Sequence, residues 1–308
     1  MGKTFILCVW SRPSAFRGRR SVRVWEFMRN CVCEYWGLDH TNILITGENG
    51  PGRVRNVSRE TFCERGLQME IDLKETMEME DQETGYGELH LHLDGAITPR
   101  IAKKLAALQG IELPYEGEQL NNALSVGEDC QSLNEFLQCF DLPLKLLQTK
   151  EGISEAIYLV QEELKAEGLS YAELRFAPQL HCQGGLSQAQ VIEAALDGLK
   201  RSTLPCNLIL CCMRGNGNER ANEETMELTG EYVKKRILAD GRKGYGVAAM
   251  DLAGAEALYP TYKYKELFKK AADRNIPFTI HAGEAGGAAE VACAIEMGAA
   301  RIGHGVRS

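Results

Sequence analysis

The sequence predicts an α/β protein built on a parallel sheet. From about Gly85 onward, short apolar runs alternate with longer runs of helical periodicity. Six β units follow one another, and helical connections of that length between strands are those of a parallel sheet. Histidines and acids gather at the C-terminal ends of these strands. Active sites form at that end in eight-stranded (β/α) barrels and, by a similar rule, in open doubly wound sheets. Neither a GxGxxG nor a GxxxxGK[ST] phosphate loop occurs.

The elements read in order as follows. ELHLHL is the first strand, and a helix begins near Pro99, where proline in a first turn is favourable. A helical insert runs through SLNEFLQCFDLPLKLLQ and ISEAIYLVQEELKAEG, with Gly168 as its stop. Then LSYAELRFAP, CNLILCCMR, GVAAMDLAG, IPFTIHAGE and ARIGHG read as strands. SQAQVIEAALDGLKR, NEETMELTGEYVKKRIL, KYKELFKKAADRN and AAEVACAIEMG read as the helices between them. Residues 1–84 lack this alternation. They hold Trp10, Trp25 and Trp36, an arginine cluster in SRPSAFRGRRSVRVW, and the acidic run DLKETMEMEDQET. The expected organisation is a poorly structured N-terminal extension over 1–84 and a catalytic domain over 85–308.

Composition narrows the function. Apolar residues make up 44% of the 308 and charged residues 25%, enough to bury a sizeable core. A net charge of −8 gives no basic footprint for nucleic acid or an anionic membrane. The 11 cysteines show no CxxC pair, and the adjacent Cys211 and Cys212 point to opposite faces of a strand. They read as small buried hydrophobes in a reducing compartment. No apolar run reaches the roughly 18 residues of a membrane span, and FILCVW is too short for a secretory core. A cytoplasmic protein is expected.

Four of the six histidines mark strand ends. Alternation along a strand aims His90, His92 and Asp94 the same way, offering two imidazoles and a carboxylate to one ion. Imidazole nitrogen suits zinc. His281 ends an apolar strand, and Glu284, three residues on, can reach over the same place as a proton acceptor and donor. His304 ends the next strand, where it can orient the attacking group and stabilise developing charge. Taken singly, each histidine also fits a core position, and Glu284 fits a helix N-terminus. Four histidines on three strand ends do not fit core packing. His40 and His181 lack such a context and read as surface residues.

HLHLDGA, ELRFAP, CCMR, MDLAG, HAGE and GHG occur in the order and approximate spacing of the adenosine/AMP deaminase family, which residues 85–308 resemble. The resemblance implies a (β/α)8 TIM barrel of the metal-dependent hydrolase type with one Zn2+ per chain. It implies His90, His92 and His281 as ligands, Glu284 as proton shuttle to the purine ring, and His304 as orienter of the attacking hydroxide. Asp94 matches the residue that contacts the nucleoside ribose; related adenine deaminases typically carry glutamate there. Gly254 matches the glycine whose backbone contacts the purine, and Phe136 and Phe140, one helical turn apart, the apolar wall over it. Arg175 and Arg214 are expected to brace strand ends. The implied reaction is adenosine (and deoxyadenosine) plus water to inosine and ammonia, in purine salvage. A small purine nucleoside would be the partner, with neither nucleic acid nor membrane.

The family pattern continues past GHG with two more strands, the last carrying an aspartate zinc ligand and a neighbouring purine-binding aspartate. Only Val306, Arg307 and Ser308 follow Gly305. The expectation is therefore an incomplete barrel of about six of eight strands, with negligible activity in residues 1–308 alone. The alternatives are an inactive fragment or pseudoenzyme that binds purines or a partner chain, and an adenine deaminase or other zinc amidohydrolase.

Overall fold

Alternating strands and helices build the structure, a computed structural model that describes residues 4–8, 42–46, 86–126, 130, 136–234 and 246–308. Eight strands are found among these residues: β1 (Thr4–Cys8), β2 (Asn42–Thr46), β3 (Tyr86–His92), β4 (Leu169–Phe176), β5 (Cys206–Met213), β6 (Gly246–Ala253), β7 (Thr279–Ala282) and β8 (Arg301–His304). β3 to β6 pair in sequence order, and β7 pairs with β8, all in parallel. A single parallel bridge between Met250 and Phe278 joins the two sets. The six strands from 86 onward thus follow the predicted order, and each predicted strand is present.

All but one of the α-helices among the described residues fall in the runs that the sequence marks as helical; Gly117–Leu124 is the exception. α1 (Pro99–Gln109) starts with Thr98 accepting from the Ile101 N–H and ends at the left-handed Gly110. α2 (Gly117–Leu124) and α3 (Asp141–Leu146) are short. α4 (Lys150–Ala166) is capped by Thr149 and runs out at Gly168, whose φ of 89° turns the chain into β4. α5 (Gln188–Leu199) carries a full capping box between Ser187 and Gln190. α6 (Glu219–Lys234), α7 (Lys265–Asp273) and α8 (Ala288–Glu296) complete the series. Among the described residues no helix is long and apolar enough to cross a membrane.

Two apolar clusters hold helices against strands. One joins α1, α4 and α5 to β4 and β5 through residues such as Leu105, Ile157, Leu174, Ile192 and Leu208. The other packs Met226, Phe268 and Val291 of α6, α7 and α8 against Met250, Ile280 and Ile302 of β6, β7 and β8. β5 is buried at seven consecutive positions, as expected of a parallel strand covered on both faces.

Of residues 1–84, which the sequence reading takes as an extension, the structure describes two short strands. β1 pairs in parallel with β8, Ile6 opposite Arg301 and Cys8 opposite Gly303, and β2 pairs in parallel with β1. The running order is therefore β3-β4-β5-β6-β7-β8-β1-β2. TFILC and NILIT are short runs rich in residues that favour strands, and an open sheet edge offers them unpaired backbone groups. The three tryptophans, the arginine cluster, the acidic run and His40 lie outside the described residues.

Candidate metal and active site

Three imidazoles meet at the C-terminal ends of β3 and β7. The Nε2 atoms of His90 and His92 lie 3.1 and 3.0 Å from Nε2 of His281. Two nitrogens bound to one tetrahedral zinc ion at about 2.0–2.1 Å sit roughly 3.3–3.4 Å apart, so this spacing is close to what the ion requires. His304 stands on the other side of the cluster, its ring 4.7 Å from that of His90 and 5.1 Å from that of His281. Among the described residues, His90, His281 and His304 form a group whose donor atoms all lie within 4.8 Å of one another. That set shares two members with the one the resemblance implied and replaces His92 by His304.

Burial fits these rings to bind a cation. Desolvation first, and then the nearby Arg175 and His281, push the pKa of His90 well down; the same influences, with His281 ahead of Arg175, act on His92. His304 is lowered to about 3, again chiefly by desolvation. Neutral imidazoles with free lone pairs are the form a metal takes. His304 adopts the left-handed backbone region at φ 70°, uncommon for a residue with a side chain and a mark of functional positions.

Behind the rings lies a buried ion-pair network. Asp251, fully buried on β6, accepts from Nη1 of Arg175 at 2.7 Å, and its Oδ2 lies 3.0 Å from Nδ1 of His281. That short contact sets a buried carboxylate against the His281 ring nitrogen opposite Nε2. Burial alone would raise the Asp251 carboxyl. His281 and Arg175 outweigh it and hold the group ionised, well below the usual carboxylate range. Arg175 also donates to the Leu89 carbonyl at 2.8 Å, tying β3, β4 and β6 together. Arg214 donates to the His281 carbonyl at 2.6 Å, to the Tyr259 carbonyl and to Thr261. Both arginines therefore brace strand ends, as expected.

Glu284 leans over the cluster, its Oε2 3.5 Å from Nε2 of His304. Desolvation and the neighbouring Glu256 raise its pKa against the opposing pull of His281. Phe140 covers the other side, its ring 6.5 Å from that of His92 and stacked edge-on against Phe136 at 5.4 Å. The two phenylalanines do not share a regular α-helix, because residues 138–140 form a 3-10 turn. Gly254 closes β6 with φ 104°, beside Met213 and Arg214.

Two positions are corrected. Asp94 does not continue the alternation of His90 and His92: the strand stops at His92, and Leu93 turns helical to start a 3-10 turn over Asp94–Ala96. Asp94 is buried there, and desolvation raises its pKa to about 6. His181 is a core residue, 1% exposed, with Nδ1 donating to the Leu147 carbonyl at 3.0 Å. The proline-containing segment Pro178–His181 is itself a 3-10 turn, with Pro178 and His181 both buried. Asp251 and Glu256 went unnoticed in the sequence. The first lies in the MDLAG motif, as a carboxylate inside the otherwise apolar run GVAAMDLAG.

A parallel α/β sheet with histidines, a buried carboxylate and a raised-pKa glutamate at its C-terminal edge defines a metal-dependent hydrolase fold of the TIM-barrel class. Residues 86–308 match the adenosine deaminase family, and the chain belongs to it. Over 230 residues it is 47% identical to an adenosine deaminase of Haemophilus ducreyi, a match covering 73% of this chain and 65% of the relative. It is 36% identical to an adenosine deaminase of Enterococcus faecalis over 71% of this chain and 63% of that protein. The chain thus spans somewhat under two thirds of these relatives' length. Among solved structures it resembles an adenine deaminase from Arthrobacter aurescens, with a TM-score of 0.60 and 27% identity over 72% of this chain and 64% of the other. An N6-mAMP deaminase from Arabidopsis shares the fold, with a TM-score of 0.58 at 24% identity over 72% of this chain and 65% of the other.

Proposed function

We propose that the protein is a zinc-dependent hydrolase that deaminates adenosine, and deoxyadenosine with it, to inosine and ammonia, serving purine salvage in the cytoplasm. The observation that carries this reading is the convergence of the His90, His92 and His281 Nε2 atoms under Glu284. Identity of 47% over 230 residues with an adenosine deaminase supports the nucleoside as substrate.

His90, His92 and His281 would hold one Zn2+ through Nε2, with His304 flanking it. Zinc in such a site makes water a far stronger acid and so supplies a nucleophile at neutral pH. The rest of the chemistry falls to the chain's own residues. Glu284, whose burial favours its protonated form, would take the proton lost by water and deliver it to the purine ring nitrogen. The neutral His304 would hold the attacking oxygen by a hydrogen bond. Phe140, over His92, would exclude water from one face of the purine. Asp94 would accept from the ribose, and the backbone of Gly254 would meet the base.

Zinc analysis and the ultraviolet change from adenosine to inosine test the reading on the whole protein. One zinc per chain is expected. Glu284→Gln should keep that zinc and lower turnover by about 10²–10⁴-fold, the usual contribution of a general acid–base group. A Glu284→Gln protein with most of its turnover intact would show that another group carries the proton.

A further inference from the structure

A buried side chain takes the backbone donors of the loop that carries Glu284. Glu256, 2% exposed, lies just beyond the end of β6. Its Oε1 accepts from the Gly283 N–H at 2.7 Å. Its Oε2 accepts from the N–H groups of Glu284 at 3.0 Å, Ala285 at 2.7 Å and Gly286 at 2.9 Å. One carboxylate thus takes four consecutive backbone donors. Hydrogen bonds to an ionised acceptor are about twice as strong as neutral ones, and no cation forms a salt bridge with Glu256 among the described residues.

The Arg307 N–H donates to the Gly283 carbonyl at 3.0 Å, but among the described residues the N–H groups of 283–286 find their acceptors on Glu256. The loop turns out of β7 at Gly283, with φ 75°, and a Cβ at Gly286 would stand 2.9 Å from Oε1 of Glu256. His281, by contrast, sits on the strand itself, and Arg214 holds its carbonyl from the other side. The metal-binding strand and the glutamate-bearing loop are therefore held by different hydrogen bonds.

We infer that Glu256 is a positioning residue that sets the place of Glu284 over the metal cluster by clamping the backbone of residues 283–286. The inference rests on the reading of Glu284 as proton shuttle. Removing the clamp frees Glu284 while leaving His281 in place, so it separates turnover from metal binding.

The test is Glu256→Gln in the whole, zinc-loaded protein, followed by hydrogen exchange, zinc analysis and steady-state kinetics with adenosine. Gln keeps the shape but loses the charge and turns an NH2 toward the four donors. Exchange at residues 283–286 should rise roughly ten- to a hundredfold, with β6 and β7 unchanged. The kcat should fall roughly 10–100-fold, with KM within about threefold and zinc content unaltered. Should the Gln variant fail to fold, Glu256→Asp retains the charge and retracts it by one methylene, and the same measurements apply with smaller changes. Unchanged exchange at 283–286 overturns the clamp. So does an equal rise across β6 and β7, or a fall in zinc content that parallels kcat. A wild-type protein without deaminase activity would refute the proton-shuttle reading, while the exchange comparison would still decide whether Glu256 holds the loop.

Discussion

Gly303→Ala adds one methyl group at the most crowded point of the metal cluster. Gly303 lies on β8, facing the rings of β3 and β7. A Cβ there would stand 2.7 Å from Cε1 of His90, and 3.4 Å from both Cα and Cγ of His281. Ordinary van der Waals contact begins near 3.4 Å, so the His90 ring must retreat by roughly 0.7 Å or push β8 away. Free space is lacking, because His90 is 4% exposed and its ring already lies 4.7 Å from those of His281 and His304. The backbone itself accepts alanine, since Gly303 is not among the residues of positive φ. Overpacking of this kind costs about 1–3 kcal/mol. Metal–nitrogen distances hold within about 0.2 Å, so a shift of that size should lower zinc affinity by about tenfold or more. Competition against a chromophoric chelator measures the affinity, and far-ultraviolet circular dichroism checks that the fold is kept. A folded Gly303→Ala protein with wild-type zinc affinity would refute the placement of His90 in the cluster.

Two further predictions concern groups behind the site. Asp251→Ala leaves Arg175, 1% exposed, buried without its carboxylate, and should destabilise the fold by about 3–5 kcal/mol. Urea unfolding reads this directly, and a loss under about 1 kcal/mol would mean that solvent reaches the pair. His181 gives a pH signature. Its folded-state pKa lies at about 4 against a normal 6.5, lowered by desolvation. The unfolded chain therefore binds a proton first as pH falls. The stability present above pH 6.5 is lost as pH drops toward about 4, by up to about 3 kcal/mol. His181→Asn can keep the donor to the Leu147 carbonyl and should remove that slope. Identical pH dependence of unfolding in the two proteins would place His181 in contact with water.

Much of this was visible in the chain because it is local. Strand and helix spans from Tyr86 onward follow from hydrophobic period and caps, and Thr98, Thr149 and Ser187 start their helices as their side-chain chemistry dictates. The two-residue period of a strand aimed His90 and His92 together, and it failed at Asp94, where the backbone turned helical one residue earlier. His181 was misplaced for a related reason: a proline-containing turn looks like surface until the body it packs on is known.

Fold class, the order of the strands from 86 onward, and the histidines and glutamate that meet at their ends are legible in the chain alone. Each of these rests on residue type and near-neighbour spacing. Which groups touch across the sheet emerges once the strands are assembled. Asp251 reaches Arg175 over 76 residues and approaches His281 over 30, and Glu256 reaches the loop of Glu284 over 28. The tertiary structure also decided that Thr4–Cys8 lies along β8, nearly 300 residues away in the chain. Such contacts depend on which strands become neighbours when the sheet forms, and no local period in the sequence encodes that distance.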